Sequence, residues 1–200
     1  MRTMDKTETY GERIIALVDE MKQNAEDMRI WANIPLALDA VCLIKTIPDE
    51  EGETPLGKAY ACHAVLEQLS EYDAPRLVLI ILRVELGFLR ASDEKSDWLK
   101  EEDILAEIEK LEAYTDPDNI SNEEFSRKYG RMLKFDPIER TSLWEDNIYQ
   151  AELEVDKLLK DVPRGMGYCF AHWPALKRAL AKRGVPWKSP NELNPRVMFD

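Results

Sequence analysis

The sequence lacks the features that mark membrane and secreted proteins. Its longest unbroken aliphatic run, residues 77–82, is far below the ~20 apolar residues that a membrane-spanning helix needs. The first ten residues, MRTMDKTETY, contain no apolar stretch of the kind found in a signal peptide. The three cysteines are odd in number and widely spaced, whereas a secreted disulfide framework is even and denser. We therefore predict a cytoplasmic protein with reduced thiols and no membrane segment.

Motifs that specify a reaction are also missing. The sequence has no Gly-rich phosphate loop, no G-x-S-x-G and no H-E-x-x-H. Its two histidines, His63 and His172, each lie near one cysteine, but neither pair has the repeated C-x-x-C spacing of a structural zinc site. His63 and Glu67 share a helix face, which a simple hydrogen bond explains as well as base chemistry does. We predict no metal and no cofactor. The absence of motifs that specify a reaction favours a protein that is not an enzyme.

Positive charge is scarce overall but concentrated at one end of the chain. There are 27 Lys and Arg against 39 Asp and Glu, a net charge of −12. Residues 91–124 hold thirteen acids and three lysines, whereas residues 164–200 hold seven basic residues and two acids. The acidity argues against nucleic-acid binding by the whole surface, because nucleic acid is itself polyanionic. The asymmetry predicts either internal pairing of the two regions or two partner surfaces.

Apolar residues recur with helical spacing along nearly the whole chain, and prolines separate the periodic segments. The stretch from Pro48 to Pro55, PDEEGETP, is a loop by composition. Asp136-Pro-Ile-Glu139 has the N-cap, first-turn proline and third-position glutamate of a helix start. The periodicity predicts helices near residues 8–32, 35–47, 56–70, 74–91, 98–114, 122–133, 136–161 and 174–183. We predict an all-α bundle of seven or eight helices.

The C-terminal segment, residues 164–200, differs from the rest in composition. It is basic and aromatic, and three prolines after residue 185 prevent regular structure near its end. We predict one domain overall, in which residues 1–163 form an acidic helical bundle and residues 164–200 form a helix and an irregular tail packed on it. In this interpretation the basic residues of the tail lie against the acids of residues 91–124. Alternatively, the tail forms one wall of a pocket or a partner-binding surface.

Charged residues interrupt the apolar helix predicted at residues 74–91. Arg76, Arg83 and Arg90 recur every seven residues and share one stripe, while Glu85 lies about 200° around the helix from Arg83. Arg83 and Glu85 both sit in apolar context, where an unpaired charge costs several kcal/mol, so each needs a partner from another helix. In one interpretation, Arg83 and Glu85 form interhelical ion pairs that set the register in which the helices pack. An anion site in which Arg83 binds phosphate or carboxylate is the other.

Two functional hypotheses from different classes follow. The first is a non-catalytic interaction or regulatory module whose acidic region, residues 91–124, binds a basic protein partner. The alternative is an enzyme or small-anion-binding protein with a pocket between the helices and the C-terminal tail. The candidate lining residues of that pocket are Arg83, Glu85, His172, Trp173 and Arg196. A contact of the isolated basic tail with nucleic acid is a third, weaker option, and the oligomeric state is left open.

Overall fold

A computed structural model describes residues 9–48 and 54–199. Within these ranges the chain is helical with no strand, which confirms the prediction of an all-α helical bundle. The α-helices are α1 (Tyr10–Glu26), α2 (Asn33–Thr46), α3 (Pro55–Leu66), α4 (Pro75–Ala91), α5 (Glu101–Thr115), α6 (Asn122–Tyr129), α7 (Ser142–Leu158), α8 (Tyr168–Ala181) and α9 (Pro190–Leu193). Short 3-10 helices span Ile30–Ala32 and Pro137–Arg140. The start of the predicted first helix and residues 49–53 of the predicted loop lie outside the described residues.

Two predicted helices are each divided in the structure. The segment expected as one helix over residues 8–32 ends as α1 at Glu26, and Met28 then adopts a left-handed φ of 57°. The segment expected over residues 136–161 begins with the 3-10 turn Pro137–Arg140, and α7 starts after it. Its predicted capping box is present, because Asp136 accepts a bond from Ile138 and Glu139 accepts one from the Asp136 amide.

The last long helix starts earlier than its proline suggests. The helical spacing predicts a start near Pro174, yet α8 begins at Tyr168 and contains Pro174. An interior proline removes one hydrogen bond and costs about 3 kcal/mol in an exposed helix. The extra turn brings His172 against Glu152 of α7 at 2.8 Å, a tertiary contact that offsets this cost. Beyond the helix, Gly184 adopts a φ of 75°, which glycine accommodates without strain.

Contacts divide the chain into two compact units, Met1–Leu111 and Glu112–Asp200. The boundary falls inside α5, whereas the predicted division lies at residues 163 and 164, and that division stays a prediction. The first unit carries 24 Asp and Glu against 13 Lys and Arg, and the second carries 15 against 14. The acidity of the protein therefore belongs to Met1–Leu111. In the described part of the chain, no helix combines the length and the apolar character needed to cross a membrane.

In Met1–Leu111 the first four helices pack around one apolar core. The buried residues of α1 are Ile14, Leu17, Val18 and Met21, and they meet apolar residues of α2, α3 and α4. The fully buried Asn33 donates to the carbonyls of Met21 and Gln68 at 2.9 and 2.8 Å and accepts from Asn24 at 3.0 Å. Its amide thus joins α1, α2 and the end of α3.

In Glu112–Asp200 the helices α7 and α8 pack against each other, and the chain after α8 is attached by polar contacts. Trp187 is buried and donates through Nε1 to Glu139 at 2.9 Å. The side-chain amide of Asn194 exchanges two hydrogen bonds, of 2.8 and 2.9 Å, with the backbone of Lys134. The irregular tail is therefore held to the segment before α7 as far as Asn194.

The basic residues of the C-terminal segment pair differently from the sequence expectation. Lys182 and Arg183 both bind Glu154 of α7, at 2.5 and 2.9 Å. Lys177 binds Glu192 at 2.5 Å, and Arg164 binds Asp156. None of the acids that bind these four basic residues belongs to residues 91–124. All thirteen acids of residues 91–124 are exposed.

Candidate functional site

The five predicted site residues fall in different parts of the structure. Arg83 and Glu85 lie on α4 in Met1–Leu111, whereas His172, Trp173 and Arg196 belong to Glu112–Asp200. A pocket shared by all five residues stays a prediction. Within each unit, however, the surroundings of each residue are defined.

Arg83 is exposed, so the prediction that it lies in an apolar environment is wrong. Arg83 and Arg90 of the stripe are exposed together with Ile80, which is 52% exposed, and Arg76 is half-buried. Arg90, one heptad further, binds exposed Glu101 at 2.5 Å. The other apolar residues of α4 are enough to cover its buried side. The arginine side chains therefore lie on the side that faces solvent.

Glu85 is 1% exposed and has a partner from another helix, as a buried carboxylate requires. Its Oε1 lies 2.9 Å from Nδ1 of His63 on α3, while its Oε2 is buried and has no hydrogen-bond partner. Burial raises the pKa of the Glu85 carboxyl, and the hydrogen bond from His63 opposes that effect. Burial and the charge of Glu85 together raise the pKa of the neighbouring Cys62 to about 12. Cys62 is therefore a core residue and not a nucleophile.

The candidates in Glu112–Asp200 have separate surroundings. His172 binds Glu152 through Nε2 at 2.8 Å, and its ring lies 5.5 Å from that of Tyr168. Trp173 packs edge-to-face with Phe199 at a centroid distance of 5.0 Å. Arg196 is exposed. Trp173 thus packs against the end of the tail. His172 is the hydrogen-bonding partner of the buried Glu152 carboxylate.

A cleft of about 460 Å³ lies in Met1–Leu111 and contains Glu85 and His63. The helices α3, α4 and α5 line it. The segment between α3 and α4 and the connection between α4 and α5 contribute the remaining residues. Its aliphatic lining consists of Leu66, Leu69, Val78, Leu82, Leu99 and Ile104. Its charged lining consists of Glu67, Glu71, Glu85, Asp103 and Glu107 together with Lys100.

The cleft has an excess of negative charge. Lys110 lies beside it and binds Glu71 and Glu107 at 2.6 and 2.7 Å. Within the described chain, Glu67 and Asp103 form no ion pair. Carboxylates that share an apolar cleft repel one another in a medium of reduced dielectric constant, so a cation entering the cleft lowers the electrostatic energy.

Trp98 supplies an aromatic surface at the cleft. Its ring is 54% exposed, stacks on Tyr60 of α3 at 4.9 Å and meets His63 edge-to-face at 5.0 Å. Ser96 fixes the turn that carries it, because its hydroxyl accepts from Tyr60 at 3.0 Å and from the Leu99 amide at 2.8 Å. An exposed indole beside carboxylates is suited to apolar and cation–π contacts with a positively charged ligand.

The described lining of the cleft combines carboxylates with one lysine, one imidazole and one indole. The described lining contains no Ser, Thr or Cys that would act as a nucleophile on a substrate there. Among the described residues, no group of three or more His, Cys, Asp and Glu is arranged to hold a metal ion. A buried glutamate, a half-buried histidine and an exposed indole lie together in this cleft.

Sequence reasoning missed two parts of this site. His63 was paired with Glu67 on its own helix, whereas its partner is Glu85 on α4. Trp98 lies in a stretch that was interpreted as the start of a helix, and its signal was a large aromatic in an otherwise polar connection. A second cleft, of about 600 Å³, lies in Glu112–Asp200 and includes Arg131 and Arg140, but both guanidinium groups already bind protein atoms.

Comparisons with known proteins give no further guidance. The chain matches no protein family model, no curated protein and no solved structure. The function is therefore argued from the geometry of the cleft.

Proposed function

We propose that this protein is a non-catalytic binding module whose acidic cleft in Met1–Leu111 takes a positively charged segment of another protein. The observation that carries the proposal is the combination, in one cleft, of an aliphatic lining with five carboxylates and the exposed Trp98. An amphipathic basic segment fits this combination, because its apolar side chains cover the lining and its Lys or Arg side chains meet the acids at the rim.

The outer side of α5 extends the same charge beyond the cleft. Asp103 and Glu107 face the cleft, and further exposed acids lie on the helix and in the connection before it. A continuous field of one sign steers an oppositely charged partner and accelerates its association. A cytoplasmic location belongs to this proposal and rests on the sequence alone.

The alternative, an enzyme or a small-anion site between the helices and the tail, has less support. The cleft that contains Glu85 is acidic and repels anions, and Arg83 and Arg196 are exposed rather than gathered in a pocket. A pair of His63 and Glu85 is present in the cleft, and the need of the buried Glu85 carboxylate for a partner explains that contact.

The proposal is tested with a synthetic amphipathic peptide built from leucine and lysine, titrated into the full chain by calorimetry. We expect binding that weakens at least tenfold between 50 and 300 mM NaCl, because exposed charges are screened by salt. Asp103→Lys should weaken binding at least tenfold. Glu102→Lys makes the same charge change on the adjacent residue, which does not line the cleft, and should have less than a threefold effect. Equal effects of the two variants, or binding unaffected by salt, would refute the assignment of the cleft.

A further inference from the structure

We infer that the cationic group bound in the cleft is a primary alkylammonium, with its nitrogen at Oε2 of Glu85 and its chain along the aliphatic lining. This inference rests on the proposed function and adds the chemical class of the group that is recognised. A lysine side chain of a partner and a free alkylamine share this chemistry.

The buried carboxylate of Glu85 has one oxygen to offer. Oε1 is 2.9 Å from Nδ1 of His63, and Oε2 is closed to water and has no partner among the described residues. Leaving a buried carboxylate oxygen unbonded is unfavourable, since charged groups lose more on desolvation than neutral ones. An ammonium group that binds Oε2 removes this penalty and supplies the opposite charge.

The single free oxygen selects between the two cationic side chains found in proteins. A guanidinium group binds carboxylates best through two parallel hydrogen bonds, one to each oxygen. His63 already binds one of the two oxygens of Glu85, so a guanidinium group would have to share that oxygen with the imidazole. An ammonium group is a compact point charge that binds one oxygen equally well, and its unbranched stem suits an apolar wall. The cleft therefore favours lysine-type over arginine-type cations.

Access to Oε2 requires the lining to open, and Trp98 is placed to report it. This residue lies outside the helices, between α4 and α5, and its ring touches His63 edge-to-face. An alkyl chain that passes over the imidazole toward Glu85 changes the surroundings of both rings. Nuclear magnetic resonance of the His63 ring and of the Trp98 indole detects that change directly. This readout is separate from any effect of the net charge of the cleft on affinity.

The test compares n-hexylamine, n-hexylguanidine and n-hexanol on the wild-type chain, with dissociation constants measured from the shifts of the Trp98 indole resonance. We expect the amine to bind at least tenfold more tightly than either of the other two. Glu85→Gln, which keeps a hydrogen-bond acceptor for His63, should weaken amine binding at least tenfold. Glu20→Gln removes the same charge from an exposed residue of α1 that does not line the cleft and should change binding less than threefold.

Equal affinities for the amine and the guanidine in the wild type overturn the inference, and that comparison needs no variant. Equal affinities of Glu85→Gln and wild type for the amine overturn it as well. If the leucine-lysine peptide still binds and responds to Asp103→Lys in that case, the proposed function survives without the ammonium assignment. Separate titrations with hexylamine and with a peptide that contains a single lysine distinguish the two sources: the ligand that saturates the cleft at the lower concentration represents the natural class.

Discussion

Arg140→Met keeps the aliphatic stem of a buried side chain and removes its guanidinium group. Arg140 is 1% exposed, and five hydrogen bonds from its guanidinium group run to oxygen atoms between residues 113 and 122. These acceptors are the carbonyls of Ala113, Tyr114, Asp116 and Ile120 and Oδ1 of Asn122, at distances of 2.7 to 3.2 Å. The carbonyls at the end of α5 have no intrahelical partner, so the guanidinium group caps this helix.

The expected loss of stability follows from the number of acceptors that water does not reach. Asp116 is exposed, so water replaces the guanidinium group at its carbonyl, whereas Tyr114 is fully buried and Ala113, Ile120 and Asn122 are half-buried. Each buried acceptor left without a donor costs about 1–3 kcal/mol. With two or three acceptors left in this state, Arg140→Met should lower the free energy of unfolding by about 2–9 kcal/mol. The free energy of unfolding of a typical domain is about 5–15 kcal/mol in total.

Hydrogen exchange of amides in residues 112–199 measures this loss locally, and urea unfolding followed by circular dichroism measures it globally. Arg127→Met removes an exposed guanidinium group from α6 in the same unit and should change stability by less than about 0.5 kcal/mol. Arg140→Lys keeps the charge but has no planar fork, so its effect should fall between the two. A free energy of unfolding for Arg140→Met within about 1 kcal/mol of the wild type would show that the cap is not needed.

Two further predictions concern buried titratable groups. Burial raises the pKa of the Glu139 carboxyl, so the wild type loses stability as the pH rises from about 4.5 through the folded-state pKa, and Glu139→Gln does not share that loss. The urea midpoint of the variant should therefore rise relative to the wild type over this range, and a pH-independent difference would contradict the prediction. Burial raises the pKa of the Cys62 thiol to about 12, so mass spectrometry after iodoacetamide treatment at pH 8 should find exposed Cys42 alkylated and Cys62 unmodified unless urea is added.

Much of the helical framework was predictable because it depends on residues close together in sequence. The capping box at Asp136 and Glu139 acts within a few residues of a helix start, and it appears in the structure at the predicted position. Helical spacing likewise predicted that α4 is apolar and that its arginines share one stripe. Ends determined by tertiary contacts were predicted less well, as at Pro174, where packing on α7 outweighs the local cost of proline.

The sequence alone determined the helical class, the order of most helices, the acidity of the chain and the positions of several caps, because each follows from composition or from neighbours within about one turn. Only the tertiary structure decided which side of α4 is buried and which carboxylate binds His63. Spacing shows which residues share a helix face, but it carries no information about what packs against that face. Local spacing indicates Glu67, four residues from His63, as its partner. Packing of α3 on α4 instead brings Oε1 of Glu85 to 2.9 Å from Nδ1 of His63 and creates the acidic cleft.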